Sequence, residues 1–305
     1  MTDQLAPYQA ASGPRLGGFS PEALFVLSGI SQNIGTILAK SLFDNARPAT
    51  VALVRVAFAS VVLLALSWRH WARSSAGRRR WTRAQLATSA MFGIAIALMN
   101  LFFYLAINRL DIGKGLAIEF IGPIVVAASR TRTRRNTVAV SLAAIGVCVL
   151  SGLELRGDRL GVLFILLAST MWACYIVLGA RVAHADRGVA GLGFGLVCGA
   201  VAIAPFGASG LGHVVTSPAV LIGCCAVGLF TTVIGYGLDQ HILRRIPAGR
   251  FALLLALTPI EAIFIAYIAL DQKPAALDFL GIALVIAGVI CQQHAPVGPA
   301  EALIE

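Results

Sequence analysis

LAIEFIGPIVVAASR, residues 116–130, is an apolar run that carries a carboxylate, Glu119, and a proline, Pro123, near its middle and ends on the first of four closely spaced arginines. An ionisable group at the centre of a bilayer costs from roughly 2.5 kcal/mol upward, and a proline removes one helical hydrogen bond. If the run crosses a membrane, both features need a polar environment to compensate them. Composition says that it does. Hydrophobic residues make up 58% of the 305-residue chain and charged residues 12%, whereas charged residues approach about a quarter of a soluble domain.

A bilayer needs about 20 apolar residues per helix. Ten such runs follow one another, near 22–43, 49–68, 86–107, 110–129, 137–152, 160–182, 190–206, 219–240, 248–270 and 278–293. They are long, continuously apolar and without alternation, so they read as helices rather than barrel strands. The longest interior loop, about 69–85, is too short for a soluble domain. Residues 1–21 are polar, with Gly, Pro and a single basic residue at Arg15, and lack the apolar core and cleavage site of a signal peptide. They read as a cytoplasmic tail, and residues 294–305 as another.

The net charge of +10 is informative through its placement. With the N-terminus inside, interior segments hold sixteen of the 24 Lys and Arg, among them Arg78, Arg79 and Arg80; seven fall on the other side and Arg55 lies within a span. The positive-inside rule then puts both termini in the cytoplasm. The arginine clusters read as topology anchors, and no nucleic-acid partner is expected. The six cysteines all lie in apolar runs without C-x-x-C or histidine spacing, so neither metal site nor disulfide is expected.

The opening stretch has a partner. IGKGLAIEFIGPIVVAA (112–128) and PAGRFALLLALTPIEAI (247–263) each place a glycine and a basic residue, Lys114 or Arg250, ahead of a mid-span proline, Pro123 or Pro259. The runs that follow, at 137–149 and 279–291, match in apolar pattern and in Gly146 and Gly288. Residues 22–152 and 160–293 thus read as two five-helix repeats. An odd number of spans per repeat inverts one against the other, the arrangement of secondary transporters that bind substrate near the midplane and rock to alternate access. The fold class expected is an all-α membrane protein of ten transmembrane helices in two inverted repeats.

No nucleotide-binding, metalloprotease or serine–histidine pattern occurs, so an enzyme is not expected and no cofactor is called for. GLGFGLVCG at 191–199 has the small-xxx-small spacing of close helix crossings. What remains is polar residues at membrane depth. Glu119 and Arg55 offer two readings side by side: an ion pair with each other, or a substrate or proton site. Asp239 and Glu261 are further carboxylates, within the eighth and ninth spans. Asn100 and Tyr104 share a helix face, as do Tyr236 and Gln240; Gln32, Asn33 and Lys40 lie in the first span, and Trp172 and Tyr175 in the sixth. Pro123 and Pro259 supply helix kinks. Hydrogen-bonding groups beside opposite charges suit a small zwitterion.

GTILAKSLF (35–43), MNLFFYLAI (99–107), LAIEFIGPIVVA (116–127) and MWACYIVLGAR (171–181) resemble segments of the threonine/homoserine exporter branch of the drug/metabolite transporter superfamily, the EamA-type transporters. The resemblance spans about 22–293. It implies an inner-membrane antiporter that exports small amino acids on the proton gradient, with substrate, protons and the bilayer as partners and a homodimer as one form of assembly. It also implies cavity roles for Asn100, Tyr104, Glu119 and Pro123, and a polar role for Lys40. Two positions depart from the pattern: Thr258 rather than Glu precedes Pro259, and Asp271 stands where that helix commonly ends on Glu. Rival readings are export of another metabolite or a drug, and a membrane enzyme or a non-transporting subunit.

Overall fold

The structure is a computed structural model and describes residues 19–73, 81–110, 118–129, 133–150, 158–184, 188–258, 261 and 276–293. These residues are mostly helical and contain no strand. Six helices are long and apolar enough to cross a membrane, and they fall on the first, second, third, sixth, seventh and eighth apolar runs. In chain order the elements are α1 (Pro21–Ser41), α2 (Pro48–Arg73), α3 (Arg83–Ile107), α4 (Ile121–Ser129), α5 (Arg134–Leu150), α6 (Arg159–His184), α7 (Gly188–Gly207) and α8 (Leu211–Thr216). Then follow α9 (Pro218–Val227), a π-helical stretch (Gly228–Tyr236) and α10 (Gly237–Leu243), which together form one span, then α11 (Ala248–Leu254) and α12 (Ala276–Gln293). Parts of the fourth and ninth runs lie outside the described residues, so the described helices establish six long spans and shorter apolar helices rather than the full count of ten.

Local chemistry sets the helix ends. Ser20 caps α1, its hydroxyl accepting from Ala23 N at 3.2 Å, with Pro21 at the first helical position, where its missing N–H costs nothing. Thr82 and Gln85 form a reciprocal capping box at the start of α3. The helices around the 69–85 loop are longer than the apolar pattern: α2 runs to Arg73, and the capping box starts α3 at Arg83. At the other end of α3, Arg109 donates to Asp158 at 2.6 Å. That hydrogen bond holds the Asp158 carboxyl below its usual range.

The bundle is apolar outside and polar within. Val61, Met91, Val201 and Ile222 are among the exposed large apolar side chains, whereas Arg55, Asn100, Glu119, Asp239 and Gln240 are buried. This is the distribution of a protein solvated by lipid.

Packing follows a two-fold pattern. α2 packs on α7 and α5 on α12; α1 packs on the π-helical stretch of the eighth span, while α6 packs on α3. With the five apolar runs of each half matched in order, the first-span helix of each half lies against the third-span helix of the other. The α3–α7 crossing is made by glycines: a Cβ at Gly93 would lie 1.8 Å from the carbonyl carbon of Gly195. The spacing at 191–199 thus marks a close crossing, as its small residues indicate. Gly195→Leu is expected to cost about 3 kcal/mol, at the upper end for overpacking, since backbone rather than a flexible side chain must move. Thermal unfolding of the detergent-purified protein checks this.

Candidate functional site

The interior polar residues converge on one cavity of about 860 Å³, open mouth included, between the two halves of the chain. α1, α2, α3 and the fourth span contribute one side; α6, the eighth span and the start of the ninth contribute the other. Glu119 and Leu255, the positions paired when Pro123 is aligned with Pro259, both line it.

Arg55 is the cation of the site. It is 2% exposed, and its guanidinium donates to Tyr104 Oη and, at 3.2 Å, to Thr232 Oγ1, while Nε has no hydrogen-bond partner. The group also lies 5.3 Å from the centre of the Tyr104 ring, within cation–π range. These anchors fix a buried charge while leaving donor capacity unused. Asn100, one turn before Tyr104, donates to Tyr236 Oη at 3.1 Å, bridging the halves across the cavity. Trp172 meets Phe120 edge to face at 4.9 Å and forms part of the aromatic wall.

Two carboxylates line the cavity and differ in their surroundings. Asp239 accepts from Ser28 Oγ at 2.7 Å, Tyr175 Oη at 2.7 Å and Gln32 Nε2 at 3.4 Å. Glu119 is 5% exposed and has no hydrogen-bond or ion-pair partner among the described residues. The Arg55–Glu119 ion pair is not formed: ion pairs between described residues are Arg109–Asp158 and Arg250–Glu22, both at the rims. Tyr104 and Thr232 occupy the guanidinium instead. Both groups are therefore presented to the cavity separately.

The remaining expected residues are placed elsewhere. Lys40 donates to Ile107 O at 3.2 Å, where a cation complements the C-terminal end of α3. Gln240 is 1% exposed and turns toward Gly179 O at 3.5 Å, so that Asp239 shares the cavity face with Tyr236 in its place. Glu261 is buried behind Gly29. Pro123 is the third residue of α4, in the first turn; the helix break falls at Phe120, before the proline rather than at it. There its missing N–H breaks no interior helical bond. Pro259 lies outside the described residues.

Sequence reasoning passed over the seam between α1 and the π-helical stretch. Ser28 and Ser31 donate to the carbonyls of Gly235 (3.0 Å) and Phe230 (2.7 Å), and Thr231 lines the cavity beside them. π-helical turns are rare and concentrate at functional sites. The available signal was Thr231–Thr232 between Gly228 and Gly235, opposite a serine-bearing face of α1.

Residues 20–153 and 159–291 each match the EamA-like transporter family. The chain is 29% identical over 270 residues to the threonine/homoserine exporter RhtA of Escherichia coli (strain K12), covering 88% of this chain and 89% of the relative. The protein of the same description from Salmonella typhimurium (strain SL1344) matches at the same identity and coverage. A probable amino-acid metabolite efflux pump of Escherichia coli (strain K12) is 25% identical over 168 residues, 51% of this chain and 56% of that one. A solved structure described as "Crystal structure of protein" superposes with a TM-score of 0.64 at 17% identity, over 89% of this chain and 96% of that one, a likeness of fold.

Proposed function

The chain belongs to the EamA-like transporter family, and we propose that it is a proton-coupled inner-membrane exporter of small neutral amino acids of the threonine and homoserine kind. Its membership makes it a multi-pass membrane transporter. The finer reading rests on one observation: Arg55 and the unpartnered Glu119 line the same cavity without pairing. A free α-amino acid carries a carboxylate and an ammonium. Arg55, anchored by Tyr104 and Thr232, holds the carboxylate through its remaining donors; Glu119 accepts the ammonium. Tyr236 and Asn100 offer hydrogen bonds to a side-chain hydroxyl, and Trp172, packed on Phe120, limits bulk.

Alternating access is supported by the packing. Two five-span repeats in opposite orientations, both termini cytoplasmic, account for the first-span helix of each half lying on the third-span helix of the other. Rocking about the α2–α7 and α5–α12 contacts opens the cavity to one face and then the other. The exporters among the similar proteins support the outward direction.

Binding to purified protein tests the substrate class. Threonine and homoserine are expected to raise the melting temperature in detergent, while their N-acetyl and methyl-ester forms, each lacking one charge, have no effect. Stabilisation by the blocked forms, or by apolar drugs and not by amino acids, would move the reading to another metabolite or a drug.

A further inference from the structure

One buried group has no part in substrate binding as proposed above. Glu261 is 9% exposed, and both of its carboxyl oxygens are buried without a hydrogen-bond partner. It sits directly on α1: a Cβ at Gly29 would fall 1.6 Å from Glu261 Oε2, so the carboxyl fills the space that any side chain at position 29 would need. Gly29 itself lines the cavity. The preceding residue, Ser28, donates to Asp239, and Gln32, one turn on, reaches the same carboxylate. Two consecutive residues of α1 therefore carry carboxyl groups from the eighth and ninth spans.

The two acids are not equivalent. Asp239 has three donors, which sustain its charge. Glu261 has none, and an ionised carboxylate buried without donors is far costlier than the neutral acid. The geometry thus holds a proton on Glu261 while α1 and the ninth span stay in contact. We propose that Glu261 is the proton-carrying group of this transporter, seated on Gly29 at the seam between α1 and the second repeat and separate from the substrate contacts at Arg55 and Glu119. The proposal rests on the exporter reading given above. It deepens that reading by separating the coupling site from the binding site.

Titratable and charged side chains reach the neighbouring cavity from both halves. Those that line the cavity on which Gly29 opens are Asp239 and Tyr236 of the eighth span, Tyr175 of α6, Arg55 of α2, Tyr104 of α3 and Glu119 of the fourth span. Asp239, held by Ser28, is the carboxylate that meets α1 at the residue next to Gly29. Its negative charge disfavours a second carboxylate beside it, so the pair loses its proton only when water reaches the seam. Parting of α1 from the ninth span exposes Glu261 to the inside, where the proton leaves as hydronium. In the opposite state the carboxylate takes a proton from outside water before the seam recloses. One proton moves inward for each zwitterion moved outward.

The test uses full-length protein, wild type and Glu261→Gln, with three readouts. These are homoserine counterflow in proteoliposomes without a gradient, homoserine accumulation driven by a pH gradient, and the infrared carbonyl band of protonated carboxylic acid in the purified protein. Glu261→Gln is expected to keep counterflow within about twofold of wild type, to lose driven accumulation by about tenfold or more, and to lack that infrared contribution. Driven accumulation at the wild-type level, or an unchanged infrared band, would overturn the proposal. So would loss of counterflow together with accumulation, because the residue would then be holding fold or substrate. Wild-type protein without homoserine counterflow would sink the substrate reading instead, and the infrared band, which needs no substrate, would still decide the role of Glu261.

Discussion

Glu119→Gln is expected to lower gradient-driven transport of threonine and homoserine by about a hundredfold while leaving the protein as stable as wild type or more so. The magnitude follows from removing one partner of a buried charge contact, about 2–5 kcal/mol, with 1.4 kcal/mol per factor of ten. The stability expectation follows from geometry. Glu119 has no protein partner among the described residues, so the amide forfeits no internal contact. Transport rate and melting temperature should therefore separate. A proportionate fall in both would mean that the carboxylate holds the fold.

Arg55→Gln is expected to have a comparable effect on transport, about a hundredfold, but with a different signature. The guanidinium is anchored by Tyr104 and Thr232, and its loss leaves the Tyr104 hydroxyl without that donor and removes the cation over its ring. Unmatched buried polar groups cost about 1–3 kcal/mol each, so this variant is expected to melt lower as well. Arg55→Lys separates charge from shape. A point charge cannot hold two anchors and a carboxylate together, and transport by this variant should still fall by about tenfold or more. Initial rates in vesicles, normalised to protein recovered in the membrane, measure both. Transport by Arg55→Lys at the wild-type rate would show that the cavity needs only a positive charge.

Some of this architecture was legible from residue patterns alone, and the reasons are physical. Bilayer thickness makes long apolar runs readable as spans, and the cost of burying charge makes Glu119, Arg55 and Asp239 stand out. Helical periodicity placed Asn100 and Tyr104 on one face, and both line the cavity. The glycine spacing at 191–199 falls on the α3–α7 crossing because close backbone approach tolerates little else. Depth along a span is thus readable, but direction around its axis is not. Lys40 and Gln240 lie in polar stretches of the right spans, yet one reaches a helix end and the other Gly179.

Other features depend on tertiary partners. An Arg55–Glu119 pair was reasonable from charge alone, but Tyr104 and Thr232 reach the guanidinium instead. The π-helical stretch has no period of its own in the sequence. It is accompanied by contacts across the halves, where Ser28 and Ser31 bond the Gly235 and Phe230 carbonyls. Glu261 was visible as an acid displaced from its usual place before the proline. Its contact with Gly29 depends on how the two halves meet.

The central claim is that this cavity carries small amino acids outward on the proton gradient. Uptake of radiolabelled threonine and homoserine into inverted membrane vesicles, with an acid interior imposed and then collapsed by a protonophore, tests it most directly. The account predicts accumulation that requires both the gradient and the protein, disappears on collapse, and is lost in Glu119→Gln. Vesicles that contain the folded protein yet take up neither amino acid under the gradient would contradict it.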